Sequence, residues 1–470
     1  MKLPALVAMT ILAAATLAAC TDKNPGNGPD LSDAAAAGID LRPSAEVRFA
    51  VARVSPAVVR IDIVTETFAH GQPTSLRSQG SGAIIDADGH ILTNFHVAGR
   101  AKRIDITLAN QEHVRATLVG SDHWTDLALV KLDMDEVKRK GFTFAFAPLG
   151  DSSTVMLGQP VMALGTPYGL TRTVTAGIVS NTDRFFAEST ISGYETGWFN
   201  NWIQIDAAIN HGNSGGPLIN LRGEIIGINT RGVTEANGLG FAIPINVAKD
   251  VVREILANKK VGRSYTGIIL QPMQDLERFY DLPAGGALIA SVEKDSPAAV
   301  AGVKAENILL AVNEVPVNAR FPEQLAAVRR LIAEQPIGSE VKLTLRTGKN
   351  AHDQKVTVAV KTEKLESVVA EEKSITEWGL SVRDVTRAYL RDARLPMLHG
   401  VLVTGLTTGL PADQAQLLSD DIILSVNGKA VTNVEEFEEV VKAWAKAPKP
   451  VSVVVRRDRN EVSRVVKPRD

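Results

Sequence analysis

The sequence predicts a long, mainly β body followed by two copies of a smaller α+β module. Three observations carry this reading. Short apolar strands bounded by Gly and Asn turns follow one another closely from Val47 to Ile245. A run with helical apolar spacing, Val247 to Ala257, closes that stretch near Asn258, and beyond Lys260 the chain repeats itself. At 470 residues the chain is too long for one hydrophobic core, and a prior of roughly 150 residues per domain suggests about three.

The N-terminus carries Lys2, the apolar run Ala5 to Ala19, and then Cys20, the only cysteine. The run is short for a membrane span and reads as a signal peptide over residues 1–20. Leu17-Ala18-Ala19-Cys20 resembles a bacterial lipobox, in which cleavage before the cysteine frees its thiol for lipid attachment and membrane anchoring. The alternative is ordinary signal cleavage nearby, with Cys20 lost or left as a free thiol. Either way the chain is expected to be exported, and one cysteine allows no internal disulfide. Residues 21–44 are rich in Gly, Pro, Ala and Asp without apolar periodicity and read as a flexible tether, with an end-to-end distance of about 25 to 30 Å.

The β body is expected over residues 45–258. Val58 to Val64 alternates, Ser81 to Ile85 leads through the turn Asp86-Ala87-Asp88-Gly89 into Ile91-Leu92-Thr93, and Asp126 opens another strand. Val161 to Gly165, Val174 to Ser180 and Glu224 to Asn229 continue the series. Strands spaced this closely argue for all-β barrels or sandwiches. Downstream, Ser296-Pro297-Ala298-Ala299 leads to Ile308 to Asn313, and Leu410-Pro411-Ala412-Asp413 leads to Ile422 to Asn427 at the same offset. Two copies of one α+β module follow, expected at 263–361 and 374–467 and joined by the charged stretch Lys361 to Lys373.

Lys plus Arg number 51 against 53 Asp plus Glu, with no basic block, so the charge that nucleic acid binding requires is lacking. The histidines other than His96 and His211 show no metal-ligand spacing, and H-E-x-x-H and C-x-x-C are absent, so neither a metal nor another cofactor is expected. Gly80-Ser81-Gly82 is too short for a phosphate loop.

The chemistry concentrates in His211-Gly212-Asn213-Ser214-Gly215-Gly216-Pro217. A serine flanked by glycines can sit on a tight turn whose backbone N–H groups point at the carbonyl it attacks. An alcohol needs a base to take its proton, and a histidine does this best near neutrality. His96 is the candidate base, and Asp126, before an apolar strand, is the carboxylate that would hold one tautomer. The order His96, Asp126, Ser214 differs from that of an α/β-hydrolase elbow, whose acid and histidine follow the serine. The turn Gly212, Asn213 and Ser214 is the candidate oxyanion hole. Taken singly, each residue also has a structural reading as turn, cap or packed histidine; order and spacing together favour catalysis.

These pieces resemble the HtrA/Deg family of trypsin-like serine proteases. The resemblance rests on Gly80-Ser81-Gly82, Ile91 to Val97, Thr125 to Ala128, Gly165-Thr166-Pro167-Tyr168-Gly169, Val174 to Ser180, Gln204 to Asn210, Gly212 to Pro217 and Gly240 to Pro244. The repeats resemble the family's PDZ modules. The resemblance implies a chymotrypsin-like double β-barrel, at least a trimer, that degrades unfolded or damaged envelope proteins in the periplasm without ATP, and it suggests small aliphatic side chains at the cleaved position. PDZ modules take an extended C-terminal peptide as an added strand while loop N–H groups receive its carboxylate. Those loops would be Tyr265, Thr266, Gly267 and Ile268 in the first module and Glu377, Trp378, Gly379 and Leu380 in the second. Departures from the family pattern are a short loop at Thr67 to Arg77 and a longer Asn181 to Asn201 segment. Glu306-Asn307 and Asp420-Asp421 replace a commoner Gly-Asp, and Gln416 stands where the first copy has Gly302; the second module is therefore expected to bind peptide weakly or act as scaffold. Two other functions fit the same parts: a chaperone that holds unfolded chains, and a regulatory protease cutting one signalling substrate.

Overall fold

The computed structural model describes residues 44–166, 173–185, 199–210, 212–232, 238–280, 285–347, 355–367, 370–393, 395–396 and 399–468. The signal peptide, Cys20 and the tether up to residue 43 lie outside them. The chain divides into two compact units, Met1–Phe49 and Ala50–Asp470. Among the described residues no helix is long and apolar enough to cross a membrane.

The described chain opens on helix α1 (Ala45–Val54), where the sequence suggests strands starting at Val47. Val47, Ala50, Val51 and Val54 stand at helical spacing, and Ala50 and Val54 are fully buried. Six strands then close a first barrel: β1 (Val58–Ala69), β2 (Gln72–Ile84), β3 (His90–Asn94), β4 (Ala101–Thr107), β5 (His113–Asp122) and β6 (Leu127–Leu132), in the order β1-β2-β3-β6-β5-β4. Alternate residues such as Val59, Ile61, Ile63, Ile84, Ile104 and Ile106 fill it. A second barrel, β10-β11-β12-β9-β8-β7, comprises β7 (Pro160–Gly165), β8 (Thr173–Arg184), β9 (Trp202–Ile205), β10 (Pro217–Ile219), β11 (Ile225–Gly232) and β12 (Gly240–Pro244). Closure leaves neither sheet an open edge. The expected closing helix is α3 (Ile245–Asn258), the short α2 (Phe95–Ala98) having followed β3.

The stretch Thr67 to Arg77, read from sequence as a loop, is strand. β1 and β2 pair out to Ala69↔Gln72, and His70 and Gly71 turn the hairpin with φ of 50° and 74°, as a two-residue primed turn requires. Most of its distal half is solvent-exposed, so it carries no apolar alternation to read.

The repeats form two sheets of one design. The first contains β14 (Ile268–Gln271), β15 (Ala287–Val292), β16 (Ile308–Val312), β17 (Val315–Pro316), β18 (Glu340–Arg346) and β19 (Lys355–Lys361), with α4 (Leu325–Ala333); β13 (Ser264–Tyr265) pairs β20 (Glu363–Lys364) beside it. The second contains β21 (Lys373–Ile375), β22 (Leu380–Asp384), β23 (Val401–Leu406), β24 (Ile422–Val426), β25 (Lys429–Ala430), β26 (Val451–Arg457) and β27 (Asn460–Val466), with α5 (Val434–Lys446). The positions that depart from glycine have left-handed backbone: φ is 84° at Gly302 and 58° at its counterpart Gln416, 66° at Glu306 and 70° at Asp420. Glycine takes this geometry without strain, which is why it is commoner there.

Candidate active site

The three predicted residues come from three different elements. His96 stands in α2, directly after β3; Asp126 precedes β6; Ser214 precedes β10. Asp126 takes φ 58°, and its carbonyl is fixed by Phe95 N and Asn94 Nδ2, each donating at 3.0 Å. This turn aims the carboxylate at the start of α2. The His96 amide donates to Asp126 Oδ1 at 3.0 Å, and His96 Nδ1 lies 2.9 Å from Oδ1 and 2.8 Å from Oδ2. Thr230 Oγ1, from β11 of the other barrel, donates to Oδ2 at 2.7 Å. Burial pushes the Asp126 carboxyl up, but the His96 charge and the bonds from His96 and Thr230 outweigh it and hold the pKa below the usual carboxylate range. With Nδ1 facing this anion, the second ring nitrogen of His96 is the one left for proton transfer.

The serine turn is braced from the first barrel. Ser81 N donates to Ser214 O at 2.9 Å. The buried Ser81 hydroxyl donates to Gly212 O at 2.6 Å and accepts from Thr166 N at 2.8 Å, and Thr93 Oγ1 donates to Ser81 O at 2.7 Å. Gly212 and Gly215 take φ of 101° and 83°. A Cβ on Gly215 would lie 2.2 Å from the Ser81 carbonyl, and one on Gly216 would lie 2.1 Å from that of Leu164; only glycine lets the turn approach so closely. The Asn213 amide donates to Asn210 O at 2.9 Å, which among the described residues leaves Gly212 and Ser214 as the remaining N–H groups of the Gly212–Ser214 turn. Ser214 Oγ donates to the Thr230 carbonyl at 2.8 Å.

Ser81 and Thr230 were not singled out as site residues from sequence. Ser81 lies in Gly80-Ser81-Gly82, whose signal the sequence shows; Thr230 is a single hydroxyl between Asn229 and Arg231 in β11, and its place beside Asp126 becomes visible only when the barrels close. Elsewhere, Asp86, Asp88 and His90 converge within 4.8 Å, but Asp86 Oδ1 accepts the Asp88 and His90 amides and Oδ2 meets His90 Nδ1 at 2.7 Å, the pattern of an Asx turn entering β3.

In the first module, Thr266 O and Gly267 O accept from Ala298 N and Glu293 N at 2.9 and 2.8 Å, and Tyr265 Oη is hydrogen-bonded to Glu293. Burial and that carboxylate push the Tyr265 hydroxyl pKa up. Beside the loop lies a cavity of about 320 Å³ lined by Ile268, Leu270, Ile332 and Ala333 and by Trp124 and Phe199 of the barrels. Arg387, from the second module, sits 5.0 Å over the Tyr265 ring. In the second module Trp378 and Leu380 are fully buried, and the Trp378 and Gly379 amides donate to Ile375 O. The loop expected at Glu377 to Leu380 thus has two of its amides already engaged.

Two closed barrels with a histidine, a carboxylate and a serine turn between them define a trypsin-like serine endopeptidase followed by two PDZ modules. Residues 80–228 match the trypsin-like peptidase domain, and 288–347 and 377–467 each match a PDZ domain. The chain is 36% identical over 394 residues to a probable periplasmic serine endoprotease DegP-like of Pseudomonas savastanoi pv. phaseolicola, covering 81% of this chain and 76% of that one. It is 34% identical over 371 residues to a protein of the same description from Chlamydia trachomatis, covering 77% and 70%. Among solved structures, the HtrA-type protease AlgW with tripeptide superimposes with a TM-score of 0.57 at 29% identity, covering 69% of this chain and 98% of that one. The chain belongs to the HtrA/DegP-like family of serine endoproteases.

Proposed function

We propose that this chain is an exported, ATP-independent endopeptidase that degrades unfolded or damaged proteins of the bacterial periplasm, with its body at 45–258 and PDZ domains at 263–361 and 374–467. Ser214 is the nucleophile. His96 takes its proton through Nε2 as the hydroxyl attacks the peptide carbonyl and returns it to the leaving amine; water then repeats the cycle on the acyl-enzyme. Asp126 fixes the imidazole and stabilises the imidazolium, and the Gly212 and Ser214 N–H groups receive the oxyanion. The observation that carries this reading is the buried Asp126 carboxylate, bonded at once by the His96 ring, the His96 amide and Thr230. Before attack the Ser214 hydroxyl must leave the Thr230 carbonyl for His96, a rearrangement that substrate binding would drive.

The location follows the periplasmic relatives. Anchoring through a lipid on Cys20, assembly at least as a trimer, and capture of C-terminal peptides by the first PDZ domain at Tyr265 to Ile268 belong to the same reading. Its test is cleavage of an unfolded, casein-like protein without ATP by the chain and by Ser214→Ala. The expected loss in turnover is about 10⁴ to 10⁶. Equal cleavage by both proteins sinks the assignment; no cleavage by either, with the unfolded protein kept soluble, favours a holdase.

A further inference from the structure

A PDZ groove offers three things to a peptide: a free strand edge, loop amides for the carboxylate and an apolar pocket for the last side chain. In the second module the chain's own residues stand in all three places. β21 runs antiparallel along the edge of β22 opposite β23, in the register Lys373↔Val382, Ser374↔Ser381, Ile375↔Leu380. Ile375 O accepts from Gly379 N at 2.9 Å and from Trp378 N at 3.3 Å. The Ile375 side chain is 2% exposed and belongs to one core cluster with Trp378 and with Phe437 and Val441 of α5. In the first module, by contrast, β14 ends its sheet with no strand on its outer edge among the described residues.

The outer face of this closed loop is also covered. The tip of the β1–β2 hairpin crosses it: Thr407 Oγ1 donates to His70 O at 2.7 Å and accepts from Gln72 Nε2 at 2.9 Å, and Ser374 Oγ donates to Gly71 O at 3.2 Å. A Cβ on Gly71 would lie 3.1 Å from the carbonyls of Gly379 and Gly405, and one on Gly405 would lie 2.9 Å from Gly71 N. Backbone meets backbone here: a side chain on Gly405 would force a shift, and one on Gly71 would crowd three backbone atoms more tightly than an ordinary contact.

We propose that the second PDZ domain is self-liganded by Lys373–Ile375 and serves as a clamp for the first barrel's hairpin, not as a receptor for peptide C-termini. This rests on the PDZ match of 377–467 and is independent of the catalytic assignment. Hydrogen exchange on the full chain carrying Ser214→Ala tests it, with and without a synthetic peptide ending in a free valine. The amides of Leu380–Asp384 are expected to be protected without peptide and unchanged by it. Free exchange there in the unliganded chain, or added protection on adding peptide, overturns self-liganding; both readings hold whether or not the first module takes the peptide. Gly405→Leu places a side chain where Gly71 sits, and Thr407→Val removes the shared hydroxyl while keeping its shape. Both are expected to speed exchange at the hairpin tip, by about tenfold or more for Gly405→Leu, while Leu380–Asp384 stays protected. Unchanged exchange at the tip in both variants overturns the clamp.

Discussion

At the scale of single residues, the site depends on hydroxyls as much as on the catalytic groups themselves. Thr230 ties the buried Asp126 carboxylate to the second barrel, and a hydrogen bond to a buried charge contributes about 1.5 to 3 kcal/mol. Thr230→Val keeps the shape and removes the donor, so kcat is expected to fall about 10- to 100-fold with KM little changed; steady-state kinetics on a peptide substrate checks it. His123 makes a different prediction. Its ring lies 4.6 Å from Trp124 and 5.9 Å from Phe95, and Nε2 has no hydrogen-bond partner among the described residues. Burial, joined by the Arg100 and Arg263 charges, pushes its pKa down against the pull of Asp122. Below the unfolded value of about 6.5 the unfolded chain binds the proton and the folded chain resists it, so stability falls as pH drops from there toward the folded pKa. Urea melts of His123→Phe should show less loss between neutral and mildly acid pH than the parent; equal losses would contradict a neutral, half-buried imidazole. The candidate triad His96, Asp126 and Ser214 could be proposed from the sequence because each residue lies in a dense local motif. Ser81 lies in a motif the sequence shows, Gly80-Ser81-Gly82, but its contact with the serine turn, like that of Thr230 with Asp126, crosses the seam between barrels, and sequence spacing carries no trace of such contacts.

At the scale of elements, alternation made most strands legible, and where it failed the reason is physical. The distal β1–β2 hairpin is mostly exposed or half-buried and so has no apolar period; its signal was the His70-Gly71 turn. Helix α1 did announce itself through Val47, Ala50, Val51 and Val54, but the β context hid it. The element joining barrels to modules was equally silent in sequence. Arg263, just before β13, forms a buried ion pair with Asp122 at 2.6 Å, and its guanidinium lies 5.7 Å over Phe199. Asp122 also accepts from Trp124 N and Thr125 Oγ1, directly before Asp126. Removing one member of a buried pair strands the other charge and costs roughly 3 to 5 kcal/mol. Arg263→Ala is therefore expected to lower the denaturant midpoint clearly, whereas Arg253→Ala, on the exposed pair with Asp250, should leave it nearly unchanged.

At the scale of the whole molecule, the candidate site exists only because two barrels meet: His96 and Asp126 come from one, Ser214 and Thr230 from the other, and Ser81 reaches across to hold the turn. The modules then differ in what they offer. The first keeps an apolar cavity whose walls include barrel residues Trp124 and Phe199, so a peptide bound there would touch the body that carries the chemistry. The second closes on its own strand. The repeat predicted two modules of one design, and Gln416 and Asp420-Asp421 pointed to a weaker second one; what the repeat did not carry is the pairing of Lys373 to Ile375 with β22, which lies upstream of the shared motif. The measurement that tests the central claim most directly is mass-spectrometric mapping of a fluorophosphonate adduct on the full chain and on His96→Ala. The proposed mechanism predicts a single adduct on Ser214, lost or strongly slowed in the variant. A chain that cleaves unfolded protein while Ser214 stays unmodified, or an adduct that forms equally fast without His96, would contradict it.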